Sequence, residues 1–399
     1  MMIQLTMRIL HLATSLDGGA GIAARRIAEA QSENGMDVEL WSRHSKKVEL
    51  EKFEKLIQLN VSKKIQSKLT TYLQSRLLQN SKFLVTPFST NALRLRDFEQ
   101  NTFDIIHLHA SYNFTNVMDL GKWFSNTPLV VTLHDQRMFT GGCHYSEECE
   151  GFKSNCRNCP QVRKTFNWIP AIALKQQIAM RQIQDRTRFV SPSSWLAETA
   201  KTSQALRGSE ISVIRNPVPS FFENRPEKKN LDKTLQIGFI SENLNNPYKG
   251  LRILLEALSQ IPKEMQVHLR LIGSGSVSFE LPNVRTTHNK CANSSEVAKE
   301  LVKCDVVIVP STQDNSPSVI SESLMCGVPV IGSSVGGIAE ILHEFRLPMF
   351  ESGNSGQLAE LIQKFPEFSS DAIAQKARTY FSYERSATEY QTIYKSSLS

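Results

Sequence analysis

Two carboxylates, Asp314 and Glu322, stand eight residues apart in the stretch from Asp305 to Ile331. The apolar run Val306 to Val309 has the β-branched bias of a buried strand, and Pro310 ends it. Ser311 to Ser316 is polar and turn-prone. Pro317 suits the start of a helix, and Gly327 suits its end. Val328 to Ile331 reads as the next strand. Asp314 then lies in the loop and Glu322 on the helix, beside a strand's carboxyl end, where open α/β sheets take ligands. Fixed carboxylates there can accept hydrogen bonds from sugar hydroxyls. In the competing reading Asp314 is a turn or capping residue and Glu322 a solvated helix residue. Acidic residues are common enough near helix starts that spacing alone does not decide.

Other residue types in the chain also suggest chemistry. Lys249 precedes Gly250 in the loop between strand Leu235 to Ile240 and helix Gly250 to Gln260. An ammonium beside a helix start suits a diphosphate, although a solvated loop lysine is the plain alternative. Gly18 and Gly19 lie in the glycine-rich turn Ser15 to Gly21, between strand Met7 to Thr14 and helix Ile22 to Asn34. Gly19 to Ala24 also fits the dinucleotide fingerprint G-x-G-x-x-A. The acidic residue that a nicotinamide enzyme needs at the end of strand Val38 to Trp41 is absent, and Ser42 and Arg43 stand there. Strands Phe103 to His109 and Pro128 to Asp135 carry His107, His109 and His134 at or near their carboxyl ends. Such a histidine can equally be a satisfied core residue. Cys143, Cys149, Cys156 and Cys159 put four of the seven cysteines within 17 residues. The last pair is a C-x2-C, half of a zinc knuckle. A structural zinc, a reduced cluster and a disulfide are the alternatives.

These motifs together resemble the retaining GT-B glycosyltransferases of the GT4 family. The pattern Pro-Ser-x-x-Asp-Asn-x-Pro followed by Glu-x-x-x-x-Gly-x-Pro-Val is similar to that family's E-x7-E signature, with Asp314 in place of the first Glu. The resemblance implies that Asp314 contacts the donor sugar and Glu322 the nucleotide ribose. Asp shortens the reach by one methylene. Tyr248-Lys249-Gly250 resembles the family's K-G, and Gly273-Ser-Gly275 its I-G-x-G. Gly336-Gly337-Ile338-Ala339-Glu340 resembles its G-G-x-x-E helix start. The resemblance implies that Lys249, Gly273, Gly336 and Gly337 lie by the donor nucleotide, with Gly18 and Gly19 near its phosphates. An Arg usual in the family is replaced by Ser241-Glu242-Asn243. The strands ending in His107 and His109 and in His134 resemble D-I-I-H-x-H and V-x-T-x-H-D, which places His134 near the donor sugar. The cysteine insertion resembles one in a GT4 subset that makes bacterial surface polysaccharides.

The implied architecture is α/β with a GT-B fold: two doubly wound Rossmann-like domains with a cleft between them. Residues 1–218 form the acceptor-side domain, with the insertion 139–160 and a C-terminal helix 383–397 packing back on it. Residues 219–233 are a linker, and 234–382 bind the nucleotide sugar. The implied reaction is sugar transfer from a nucleotide-diphosphate donor to a hydroxyl of a lipid-linked or polysaccharide acceptor. Anomeric configuration is retained and no catalytic metal is required. A GT-B nucleotide-sugar epimerase and a non-catalytic nucleotide-sugar-binding scaffold are the rival readings.

Composition sets the compartment and partners. The chain has 399 residues, 40% hydrophobic and 21% charged, an ordinary soluble balance. No apolar run spans a bilayer and no export signal is evident, so a cytoplasmic setting is expected. The net charge is +7. Between His44 and Lys82, eight Lys and one Arg stand against three Glu. No nucleic-acid-binding motif accompanies this excess, so nucleic acid is not expected as a partner. An anionic membrane surface, at the inner face of the plasma membrane, fits better. Within the basic stretch, Val61 to Gln79 reads as a helix with Ile65, Leu69, Leu73 and Leu77 in a row. That row either packs on the domain or forms an interfacial face.

Overall fold

A computed structural model describes residues 7–45, 50–57, 61–80, 84–87, 93, 98, 102–115, 117–223, 234–291, 293–366 and 368–398. Residues 224–233 of the expected linker, together with Lys46, Lys47 and Lys82, lie outside them, as does the Lys63 side chain. The chain divides into two compact units, one running to Pro217 and resuming at Ser386, the other spanning Val218–Arg385.

Unit 1 holds strands β1 (Arg8–Ser15), β2 (Asp37–His44), β3 (Glu54–Leu56), β4 (Ile105–Leu108), β5 (Leu129–Thr132), β6 (Thr187–Ser191) and β7 (Ile211–Val213). Its helices are α1 (Gly18–Glu33), α2 (Val61–Leu77), α3 (Val117–Trp123), α4 (Ile169–Ile178) and α5 (Ser194–Thr202). The sheet order is β3-β2-β1-β4-β5-β6-β7, and every pair is parallel. β4 and β5 are buried at every position, as strands covered on both faces must be. The order reverses between β1 and β4, so the loops leaving those two strands diverge there.

Unit 2 holds β8 (Leu235–Asn243), β9 (Val267–Ser274), β10 (Val284–Asn289), β11 (Val306–Val309), β12 (Val330–Ser333) and β13 (Met349–Phe350). Its helices are α6 (Leu251–Leu258), α7 (Ser294–Leu301), α8 (Ser318–Met325), α9 (Gly336–Glu344), α10 (Ser355–Gln363) and α11 (Ser370–Phe381). The order β10-β9-β8-β11-β12-β13 is again all parallel, with the reversal between β8 and β11. The last helix, α12 (Tyr383–Leu398), puts Tyr390 and Tyr394 into the unit 1 core with Ile9, Ala24, Ile27 and Val130.

The start of the first helix differs from the sequence reading. The glycine stretch was expected to be a turn up to Gly21, with the helix starting at Ile22. Instead α1 starts at Gly18, so the glycines form its first turn. The cause is at Gly21, where a Cβ would lie 2.5 Å from the Ser15 carbonyl oxygen. Without a side chain there, the helix starts hard against the end of β1.

Candidate functional site

In unit 2 the two loops at the strand-order reversal meet. Lys249, at the end of the loop after β8, sets its Nζ 2.6 Å from Asp314 Oδ2, in the loop after β11. The loops are tied further by the Thr312 N–H, which donates to the Tyr248 carbonyl at 2.9 Å. The Gly337 N–H, in the first turn of α9, donates to the Asp314 carbonyl at 3.2 Å. Gly250 makes the approach possible. It adopts φ 72°, and a Cβ there would lie 1.9 Å from the Pro310 carbonyl oxygen. Glu322 is on α8, not exposed but buried, as is Asp314. The plain reading of Glu322 as a solvated helix residue is therefore excluded, while Lys249 is partly exposed and paired with Asp314. Gly273 lies near the end of β9, and Gly336 and Gly337 open α9. Gly18 and Gly19 open α1 in unit 1, and a Cβ on Gly19 would meet no atom within 4 Å.

In unit 1, His134 follows β5, and its Nε2 lies 3.0 Å from His109 Nδ1. His107 and His109 are fully buried, one bonding to Tyr394 and Thr132, the other to His11 and His134. Burial draws His134 down to about 4, and the neighbouring Asp135 only partly offsets this. Asp135 Oδ2 lies 2.6 Å from His144 Nδ1, and its Oδ1 accepts from the Arg137 backbone N–H at 2.8 Å. Burial alone would raise the Asp135 carboxyl. The His144 ring and Arg137 outweigh it, and the net shift is downward. His144 Nε2 and Arg137 Nε both reach Thr86 Oγ1, at 2.8 and 2.7 Å. The sequence reading missed His144 and Arg137. The available signal was position, since one follows Cys143 and the other lies two residues past Asp135.

The four cysteines line one pocket with Val85, Phe152 and Pro170, and all seven cysteines are free. Cys156 and Asn158 adopt left-handed backbone at φ 51° and 56°, turning the C-x2-C onto the pocket. Backbone N–H groups aim at the sulfurs: Gly151 at Cys149 (3.4 Å), Gly141 at Cys156, and Gln161 and Val162 at Cys159. Burial pushes the Cys156 thiol up to about 12 and raises Cys143 and Cys159 as well. This donor set fits a thiophilic dication, which would supply the charge that four thiolates need. The sulfurs share the pocket without closing on one another as tightly as His11, His107 and His109. Among the described residues, that trio alone brings three ligand-type atoms within 4.8 Å. All six of its ring nitrogens already have hydrogen-bond partners, which leaves no lone pair for a metal.

One helix of unit 1 turns apolar side chains outward. On α2, Ile65 is 62% exposed, Leu69 55%, Tyr72 54% and Leu73 52%, beside exposed Lys64, Lys68 and Arg76. Leu77 alone of the expected row is buried. Among the described residues, no helix is long and apolar enough to cross a membrane.

Comparison with known proteins agrees with this architecture. Residues 234–366 match the family described as Glycosyl transferases group 1. A putative colanic acid biosynthesis glycosyl transferase, WcaC of Escherichia coli, is 24% identical over 324 residues, covering 73% of this chain and 76% of that protein. Sucrose-phosphate synthase from Thermosynechococcus elongatus superposes with a TM-score of 0.67 at 15% identity, covering 98% of both chains. Anabaena Alr3699/HepE, solved in complex with UDP and glucose, superposes with a TM-score of 0.59 at 16% identity, covering 98% of this chain and 100% of that one. These likenesses show the GT-B fold. Residues 17–220, more than half of the 399, match the model described as Glycosyltransferase Family 4, so the chain is a glycosyltransferase and belongs to that family.

Proposed function

We propose that this enzyme moves a sugar, with retained configuration, from a nucleoside-diphosphate sugar to a hydroxyl of a lipid-linked or polysaccharide acceptor in surface-glycan synthesis. The Lys249–Asp314 pair at the strand-order reversal of unit 2 carries the reading, with buried Glu322 on the next helix. Glu322 accepts from the ribose hydroxyls. Lys249 exchanges part of its contact with Asp314 for the donor diphosphate, and the amides opening α9 add to the stabilisation of the leaving group. Asp314, released in part, orients the sugar. In unit 1, His134 serves the hydroxyls of the reacting sugar. The names of the relatives support this reading: WcaC is described for colanic acid biosynthesis, and HepE was solved with UDP and glucose.

Two further assignments belong to the same reading. The four-cysteine pocket holds one structural zinc, which keeps the insertion folded around His144 and hence Asp135. The outward face of α2 rests on an anionic membrane surface, where its apolar row enters the interface and its cations meet lipid phosphates. The test is incubation of purified protein with a panel of nucleotide sugars, with and without membrane lipid extract, followed by mass spectrometry. Sugar-bearing lipid formed only with both components supports the reading. Donor turnover that is indifferent to acceptor would replace it with the epimerase reading.

A further inference from the structure

Three histidines of unit 1, His134, His109 and His11, form one hydrogen-bonded line, and its direction follows from the group at its end. His134 Nε2 lies 3.0 Å from His109 Nδ1, His109 Nε2 lies 2.9 Å from His11 Nδ1, and His11 Nε2 lies 3.0 Å from Gln31 Oε1. An amide oxygen only accepts, so His11 carries its proton on Nε2. Burial holds His11 at about 4 and His109 well below its ordinary value, so both rings are neutral near pH 7. A neutral ring with a proton on Nε2 has its lone pair on Nδ1. His11 Nδ1 therefore accepts from His109 Nε2, and His109 Nδ1 in turn accepts from His134 Nε2.

The amide at the head of the line has a second contact, to a hydroxyl that can donate or accept. Gln31 Nε2 donates to the Tyr394 hydroxyl at 2.9 Å, and that hydroxyl lies 2.7 Å from His107 Nδ1. His107 Nε2 lies 2.7 Å from Thr132 Oγ1, which is 3.0 Å from the Tyr390 hydroxyl. Two branches thus leave one glutamine. One runs through α12 and back to β5, and the other reaches His134. Turning the amide over would reverse every donor and acceptor in both branches. One fully buried side chain on α1 is therefore readable at three rings.

We propose that Gln31 is a positioning residue that sets the tautomer of His134 through His11 and His109. His134 then meets the hydroxyls of the reacting sugar as a neutral acceptor at Nδ1. The inference rests on the assignment of His134 to that sugar above, and the two are tested separately. Full-length protein with 15N-labelled histidine rings, free of substrate, is read by two-bond proton–nitrogen correlation at pH 7. His11, His109 and His134 should all show the Nε2–H pattern. In Gln31→Leu, checked for folding by circular dichroism, His134 should gain a detectable Nδ1–H population. Its kcat should fall by roughly tenfold or more while KM for the donor changes little, as expected when proton placement and not binding is disturbed. An Nδ1–H pattern at His134 in the unaltered protein would overturn the inference. So would a His134 tautomer that is unchanged in a folded Gln31→Leu. Full activity in His134→Ala would instead remove the assignment of His134, whatever the tautomers show.

Discussion

Acid should unfold unit 1 first, through the histidines buried in its core. His11 is neutral in the fold, drawn from 6.5 to about 4 by burial that outweighs its hydrogen bond to Gln31. In the unfolded chain it titrates near 6.5. Below that pH the unfolded state binds a proton that the folded state refuses, so stability falls as pH drops through the window from 6.5 to 4. At 1.36 kcal/mol per pH unit, His11 alone removes about 2 kcal/mol between pH 7 and pH 5. His107 and His109 are held well below their ordinary value and His134 is held at about 4, all by burial. His11 and His134 together remove about 4 kcal/mol by pH 5, against a typical domain stability of about 5–15 kcal/mol, and His107 and His109 act in the same direction. Asp135, Tyr390 and Tyr394 face the same cluster, but they keep one protonation state across this window and do not offset the loss.

The tryptophans isolate the effect. Trp41, Trp123, Trp168 and Trp195, all four in the chain, lie before Pro217, so tryptophan fluorescence reports on unit 1 and not on Val218–Arg385. Denaturant titrations followed by that signal at pH 7, 6 and 5 should show a steep loss of stability. In His11→Gln the loss between pH 7 and 5 should be smaller by about 2 kcal/mol, whatever the variant's stability at pH 7. A flat profile in the unaltered protein, or an unchanged slope in the variant, would refute the reasoning.

Three other outcomes are expected. Glu322→Gln should weaken nucleotide binding by roughly tenfold to a hundredfold, since a hydrogen bond to a charged group is worth about 1.5–3 kcal/mol; calorimetry on the folded variant checks this, and unchanged affinity would remove the ribose assignment. Protein purified without a histidine tag should carry about one zinc per chain by elemental analysis, lost together in Cys156→Ser and Cys159→Ser. A metal-free and fully active protein would leave the cysteines as reduced thiols. Liposome sedimentation should show binding that needs anionic lipid and weakens in high salt, because each cation near the surface contributes about 1 kcal/mol. Lys64→Gln with Lys68→Gln should reduce it, as should Leu69→Ser, and equal binding to neutral vesicles would sink the idea.

The β-branched runs ending at Val309 and Thr132 were legible as strands because parallel sheets covered on both faces need continuous apolar segments. The loops that bear Lys249 and Asp314 were legible through their Gly and Pro punctuation. Their meeting at 2.6 Å was not, because it depends on β8 and β11 being neighbours, and strand order is written in no local pattern. The start of α1 was missed because a glycine-rich stretch signals a turn, whereas here the missing Cβ at Gly21 serves close packing. The histidine line was the least legible. It joins positions 11, 31, 107, 109 and 394, and no spacing rule connects a residue near the carboxyl end to a helix near the amino end. The outward face of α2 reads like any amphipathic helix, since periodicity gives a stripe but not the side of the domain on which it lies.

The central claim is retaining transfer from a nucleotide sugar by the residues gathered in unit 2. The most direct measurement is the anomeric configuration of the newly formed glycosidic bond, read by proton NMR from an α-linked donor. The unaltered protein should give an α-linked product. Lys249→Met should give the same product more slowly, through poorer stabilisation of the departing diphosphate. A β-linked product would contradict the account, and so would a folded Lys249→Met that transfers sugar at the unaltered rate.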